Sequence, residues 1–252
     1  MNDWSYQPAS DLDKPLSQRL RRFPREPDML CYAIRSTSAL IVRAWLRVYH
    51  RFGIIGAENL PASGPFVMVS NHASHLDALC LLAAVPLHRL HQAFPAAAAD
   101  YFFVSGARLA AAVLLVNAVP FDRGAHARHS LQICRELLAR DGCILILFPE
   151  GTRSSDGTLG QFKPGIGMLL AGTDIPVLPC YLSGAHQAMP KGAIFPRPRR
   201  IELTVGAPRR FAHLRPDKES FEHIAQTLEQ AVAEMQLSSA VSMASQPLSI
   251  RQ

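Results

Sequence analysis

The stretch "NHASHLDALCLLAA", residues 71–84, places two histidines, a serine and an aspartate close together before the chain turns apolar. Histidine titrates near neutral pH, and a carboxylate can fix its tautomer and stabilise the imidazolium, so His72 and Asp77 are a candidate general base and its partner. On one ideal helix, residues five positions apart point about 140° away from each other. The two side chains can therefore meet only if His72 lies in the turn before the helix.

The same stretch also has a purely structural interpretation. Ser74 is a natural N-cap, which would make Asp77 the third helical residue of a capping-box-like S-x-x-D. For an isolated H-x-x-x-x-D spacing, this interpretation is favoured over catalysis.

A second polar cluster, "FPEGTRSSDG", directly follows an apolar run that ends at residue 148. Its small residues would let a ligand approach backbone N–H groups, and its arginine could bind a phosphate through two parallel hydrogen bonds. "VPFDRG" and "FKPGIG" add one cation each, although the lysine could also be simply solvated and the glutamate could cap the next turn. The candidates are Arg123, Glu150, Gly151, Thr152, Arg153 and Lys163.

Short apolar runs bounded by Gly or Pro alternate with helical stretches, which predicts a single α/β domain with a largely parallel central sheet flanked by helices. Both polar clusters would lie at the carboxyl ends of strands, where such sheets bind ligands. The predicted strands are 64–71, 143–150, 175–182 and 200–206. The predicted helices are 75–85, 104–116, 126–140, 164–172 and 217–236.

The ends of the chain differ in character from the middle. Residues 1–28 are polar and rich in proline, so we expect a loosely ordered segment. Residues 29–52 predict an amphipathic helix with arginines and aromatics suited to a membrane interface, unless it packs on the core. Residues 53–236 form the main domain, and 237–252 are expected to be a flexible tail.

The composition and charge of the chain restrict which partners and which compartment we expect. The chain has 252 residues, 48% of them hydrophobic, and a net charge of +6, which favours an anionic partner. No nucleic-acid-binding pattern accompanies the basic residues, so we expect no nucleic-acid partner. The N-terminus lacks the features of a secretory signal, and no apolar run is long enough to predict a membrane-spanning helix. Five scattered cysteines suit a reducing cytosol.

The sequence contains the spacing H-x-x-H three times, so a metal site is one possible interpretation. No cysteine or carboxylate cluster completes any of the pairs, whereas zinc normally takes three or four ligands. We therefore expect no metal and no cofactor. The pairs are His72 with His75, His88 with His91, and His126 with His129.

Together, "NHASHLD", "VPFDRG", "FPEGTRS" and "IPVLPCYL" resemble, in order, the four sequence blocks of the glycerolipid acyltransferases. The resemblance covers about residues 53–210, and its first and third blocks are the most specific. It implies transfer of an acyl group from a thioester to the hydroxyl of a lysophospholipid, above all 1-acyl-sn-glycerol 3-phosphate. His72 would be the base and Asp77 its partner. Arg123, Glu150, Gly151, Thr152 and Arg153 would bind the acceptor's phosphate, and Lys163 is a further candidate for that site from its position alone.

Several alternatives remain open at this point. The acceptor could be another lyso-lipid, such as a lyso-aminolipid, and the donor could be acyl-CoA or acyl carrier protein. A non-catalytic lipid-binding module is also possible, whereas a hydrolase is disfavoured because the sequence lacks a G-x-S-x-G elbow. The expected location is peripheral, on the cytoplasmic face of the inner membrane and in contact with its anionic surface.

Overall fold

The computed structural model describes residues 29–98, 116–122, 127–140 and 142–244. Within these ranges, seven strands form one sheet, and α-helices and two short 3₁₀ segments connect them. The strands are β1 (Gly53–Ile55), β2 (Phe66–Ser70), β3 (Ala93–Ala98), β4 (Val119–Phe121), β5 (Ile144–Leu147), β6 (Val177–Ser183) and β7 (Glu202–Val205). The helices are α1 (Met29–Tyr49), α2 (Asp77–Ala84), α3 (Ala127–Leu138), α4 (Gly165–Leu170), α5 (Ala185–Ala188) and α6 (Lys218–Ala244).

The sheet has the strand order β1-β7-β6-β2-β5-β3-β4. Its five consecutive strands from β6 to β4 are parallel, whereas β7 pairs antiparallel with β6 and parallel with β1. The predicted α/β fold with a largely parallel sheet is therefore confirmed. The carboxyl ends of β2 and β5, which are neighbours, lie at the same edge of the sheet.

Helices cover both faces of the sheet because its central strands are apolar on both sides. Along β2, Phe66 and Met68 pack with α1 and α2, whereas Val67 and Val69 pack on the opposite face with α4 and α6. All four residues of β5 are likewise buried. This two-sided burial fixes the positions of β2 and β5, from which the loops of His72 and Glu150 leave.

Helix α1 packs on the core along one side and exposes a mostly apolar side. Leu46 is fully buried against the first face of the sheet. Arg35 is only 6% exposed, and Arg43 donates hydrogen bonds to the carbonyl oxygens of Leu82 and Val85. These two arginines therefore turn inward to the protein, unlike the interfacial arginines that the sequence predicts for this helix.

Several elements differ from the sequence prediction. The strands β1, β3 and β4 were not predicted, since two have three residues and the third, "AFPAAA", is poor in β-branched residues and contains a proline. The first helix ends at Tyr49 because Arg51 adopts a left-handed backbone conformation with φ 49°. The last helix continues to Ala244, well into the segment expected to be a flexible tail.

No helix in the described residues is long and apolar enough to cross a membrane. The helix expected at 104–116 lies almost wholly outside the described residues, as does Arg123.

Candidate active site

The His72 and Asp77 side chains meet in the turn between β2 and α2. His72 Nδ1 lies 2.8 Å from Asp77 Oδ2, and the Asp77 side chain is fully buried. Because a carboxylate oxygen only accepts, a neutral imidazole in this contact carries its proton on Nδ1 and has its lone pair on Nε2. His72 precedes the helix, as a meeting of these two side chains requires.

Asp77 also shapes the turn itself. Its Oδ2 accepts the backbone N–H groups of Ala73 and Ser74, each at 2.8 Å. The prediction that Ser74 is the N-cap is wrong, since the helix begins at Asp77 with Leu76 in the cap position. Ser74 instead accepts the Leu76 N–H at 3.1 Å and donates to the carbonyl oxygen of Met189 at 2.8 Å. Asp77 thus both partners His72 and holds the backbone that presents it.

The loop after β5 is hydrogen-bonded directly to the His72 segment. Glu150 Oε1 accepts the backbone N–H of His72 at 2.8 Å, and the Ser154 N–H donates to the His72 carbonyl oxygen at 2.7 Å. The ring of Phe148 stacks on the His72 imidazole with centroids 4.1 Å apart. The two sequence motifs therefore form one site, and Phe148 belongs to it although the sequence analysis did not single it out.

Glu150 is a buried carboxyl group with an unusual protonation equilibrium. Burial raises the pKa of Glu150 to about 7, against the opposing effect of hydrogen bonds from the backbone of His72 and Gly160. Gly160 must be small here, because a Cβ would lie 2.8 Å from Glu150 Oε2. The carboxyl group is directed towards the main chain of the site.

Arg153 and Lys163 place positive charge on the same loop. Arg153 donates a hydrogen bond to Nε2 of His75, which is consistent with a His75 pKa lowered by burial and then by the Arg153 charge. Lys163 crosses Gly151, where φ is +75° and a Cβ would lie 2.7 Å from the ammonium nitrogen. The positive φ favours glycine at 151, whereas the end of the flexible lysine side chain could move away from a Cβ. Thr152 is exposed between these groups.

A cavity of about 350 Å³ opens beside His72. Lys163 and Arg128 are its cationic lining residues, and most of the remaining wall is apolar. Arg128 and the apolar wall were missed by the sequence analysis, because the residues come from separate elements whose approach has no local signature. The apolar lining includes Ala96, Phe121, Leu131, Phe148, Ile166 and Met168.

The described ranges contain no group of three or more His, Cys, Asp or Glu side chains placed to hold a metal ion. All the predicted site residues in those ranges gather around the His72 turn. The arrangement offers a half-buried histidine paired with a buried carboxylate, three nearby cations and a largely apolar cavity.

Comparison with known proteins identifies the class to which this fold and site belong. Residues 51–183, more than half of the chain, match the family model described as Acyltransferase. The chain belongs to this acyltransferase family, which confirms the resemblance seen in the four sequence blocks.

Two individual relatives are named 1-acyl-sn-glycerol-3-phosphate acyltransferases. The chain is 36% identical over 160 residues to a chloroplastic 1-acyl-sn-glycerol-3-phosphate acyltransferase of Brassica napus, covering 61% of this chain and 44% of that protein. It is 31% identical over 134 residues to the sheep (Ovis aries) 1-acyl-sn-glycerol-3-phosphate acyltransferase alpha, covering 53% and 45%. The chain thus spans less than half the length of these two relatives.

A solved structure extends the similarity to most of the fold. The crystal structure of the 1-acyl-sn-glycerophosphate acyltransferase PlsC from Thermotoga maritima matches with a TM-score of 0.61 and 25% identity. The match covers 82% of this chain and 80% of that one. The shared architecture therefore includes more than the family-model segment.

Proposed function

We propose that this chain transfers a fatty acyl group from a thioester donor to the free hydroxyl of a lysophospholipid, with 1-acyl-sn-glycerol 3-phosphate as the acceptor. The observation that carries the proposal is the 2.8 Å contact between His72 Nδ1 and Asp77 Oδ2 beside an apolar cavity. The names of the relatives support the same acceptor.

The geometry suggests a role for each residue in acyl transfer. His72 Nε2 removes the proton from the acceptor hydroxyl, while buried Asp77 stabilises the imidazolium that forms. The hydroxyl oxygen attacks the thioester carbonyl carbon, and collapse of the tetrahedral intermediate breaks the carbon–sulfur bond. The departing thiolate then takes the proton from His72. The products are the ester and a free thiol.

Charge and shape suggest where each part of the substrates binds. Arg153 and Lys163 would hold the acceptor's phosphate, since both lie on the loop that is bonded to His72. The cavity would take an acyl chain along the part of its wall that is apolar, because that part can pack against hydrocarbon. We assign Glu150 to positioning His72 rather than to the phosphate site, because its Oε1 accepts the His72 backbone N–H.

Membrane association is part of the proposal. The outward side of α1 carries Met29, Leu30, Leu40, Ile41 and Val48, all of them exposed. This surface suits the headgroup boundary of a bilayer, on which the chain would lie peripherally. The absence of disulfides among the five cysteines fits a location on the cytoplasmic face of the inner membrane.

The test is a panel of lysolipids offered with acyl-CoA and with acyl carrier protein, in which release of free thiol is followed. We expect acceptor-dependent thiol release that is fastest with 1-acyl-sn-glycerol 3-phosphate. Faster turnover of a lyso-aminolipid would replace the acceptor, and the better of the two donors identifies the co-substrate. Absence of thiol release from a folded protein that binds lysolipid would identify a non-catalytic lipid-binding module instead.

A further inference from the structure

The loop of residues 189–200, "MPKGAIFPRPRR", holds two adjacent apolar side chains almost fully in solvent. Ile194 is 81% exposed and Phe195 is 80% exposed. The loop is nevertheless held by its backbone, because the Ala193 N–H donates to the Pro190 carbonyl oxygen at 3.0 Å and the Arg197 N–H to that of Ala188 at 2.7 Å. Ile194 and Phe195 are therefore exposed at the tip of a loop whose backbone is closed by hydrogen bonds.

The charge around the tip has one sign. The loop contains Lys191, Arg197, Arg199 and Arg200, all exposed, and no acidic residue. Arg200 pairs with Glu202 at 3.0 Å, just after the loop. An apolar tip flanked by cations matches the profile of an anionic lipid surface, which is negative at the headgroups and apolar beneath them.

The loop is also hydrogen-bonded to the His72 turn and to the end of α1. At its start, the Met189 carbonyl oxygen accepts the hydrogen bond from Ser74 in the His72 turn. Further along, the Pro196 carbonyl oxygen accepts a hydrogen bond from the Tyr49 hydroxyl at 3.1 Å, at the end of α1. The His50 ring nitrogen Nδ1 lies 3.1 Å from the Arg199 carbonyl oxygen. The loop is thus hydrogen-bonded both to the active-site turn and to the end of α1, the helix with the exposed apolar side.

We propose that residues 189–200 are a second membrane-contact element, which inserts Ile194 and Phe195 into an anionic bilayer. The element seats the His72 turn against the lipid surface from which a lysolipid arrives, a consequence that rests on the proposed function. A bilayer is favoured over a protein partner because the apolar side chains stand out from a narrow tip rather than forming a groove. The hydrogen bond to the end of α1, whose outward side is apolar, favours the same partner.

The experiment measures co-sedimentation of the full chain with vesicles of phosphatidylglycerol and phosphatidylcholine. Ile194→Ser combined with Phe195→Ser should lower the partition coefficient about tenfold or more, because two large side chains no longer enter the hydrocarbon. The matched control is Leu237→Ser combined with Val241→Ser on α6, where both residues are 68% exposed. Partitioning of the loop variant equal to that of the control would overturn the proposal.

A second pair of variants tests the charge. Arg197→Gln combined with Arg199→Gln should weaken binding to anionic vesicles about tenfold or more, and leave binding to pure phosphatidylcholine vesicles unchanged. Equal loss on both vesicle types would overturn the electrostatic part. In a third measurement, Phe195→Trp should be quenched by brominated lipid above the background of the parent's own tryptophans, and no added quenching would contradict insertion.

Activity assays separate this proposal from the proposed function. With a water-soluble short-chain acceptor and no vesicles, the Ile194→Ser, Phe195→Ser variant should turn over as the parent does. If the parent has no acyltransferase activity but its vesicle binding still depends on the loop, the function fails and the membrane element stands. If the loop variants bind vesicles normally but lose activity only with an acidic carrier-protein donor, the loop is a protein-docking surface and the membrane proposal is wrong.

Discussion

The backbone N–H of His72 donates a hydrogen bond to Oε1 of Glu150 across 2.8 Å, so a side chain of the second motif holds the main chain of the first. The two residues follow neighbouring parallel strands, β2 and β5, which end at the same edge of the sheet. The position of the candidate base therefore depends on a carboxyl group whose own pKa lies near neutrality.

His72→Ala should remove nearly all turnover and leave the fold intact. Loss of a general base costs about 10² to 10⁴ in rate, and His72 lies in a turn at the rim of the cavity rather than in the core. The measurement is kcat together with the thermal midpoint, with the exposed His213→Ala as the matched control. Activity within about threefold of the parent would exclude His72 as the base.

Asp77→Asn should lower both kcat and stability. The carboxylate accepts three hydrogen bonds, and an amide satisfies fewer of these donors, so we expect a loss of about 1 to 3 kcal/mol in unfolding free energy. It also favours the wrong imidazole tautomer, so kcat should fall by orders of magnitude. Ser74→Ala is the control, because it loosens the same turn and leaves the pair in place. An equal fall of kcat in the control would assign the effect to the turn.

Glu150→Gln should remove a pH dependence of stability. The folded-state pKa of about 7 lies above the ordinary 4.5, so Glu150 contributes stability that is fully present below about pH 4.5 and is lost as the pH rises through 7. The unfolding free energy of the parent relative to the Gln variant should fall by up to about 3 kcal/mol across this window. Denaturant titrations at several pH values measure it, and a constant difference between parent and variant would contradict the raised pKa.

Arg153→Lys should raise the KM for the acceptor more than the KM for the donor. Lysine keeps the charge but loses the paired hydrogen bonds that a guanidinium makes to a phosphate. The control is Arg210→Lys, since Arg210 is bonded to Asp174 on the surface and the structure places neither residue at the cavity. Equal effects on both KM values would remove Arg153 from the acceptor's phosphate site.

Leu40→Ser, Ile41→Ser and Val48→Ser together should strongly lower vesicle co-sedimentation. These side chains lie on the outward side of α1, so their loss spares the core packing of Leu46. Truncation of the helix would be less informative, because it would also uncover the core. Undiminished binding of a correctly folded triple variant would show that α1 is not an anchor.

The sequence determined a good part of the fold and the identities of the candidate dyad. Phe66 to Ser70 and Ile144 to Leu147 are apolar runs bounded by turn residues, and such runs predict buried parallel strands whatever lies around them. Parallel order then requires His72 and Glu150 to emerge at one edge. That inference needs only the direction of the strands, so it could be made without coordinates.

The directions of individual side chains follow from tertiary packing. Glu150 turns to the main chain of His72, Arg35 and Arg43 turn inward from α1, and Ser74 bonds to Met189 in place of capping α2. Residues far apart in the chain make these contacts, so local periodicity and spacing do not predict them. The cavity and the exposed tip at Ile194 and Phe195 follow from the same packing, which only the assembled chain determines.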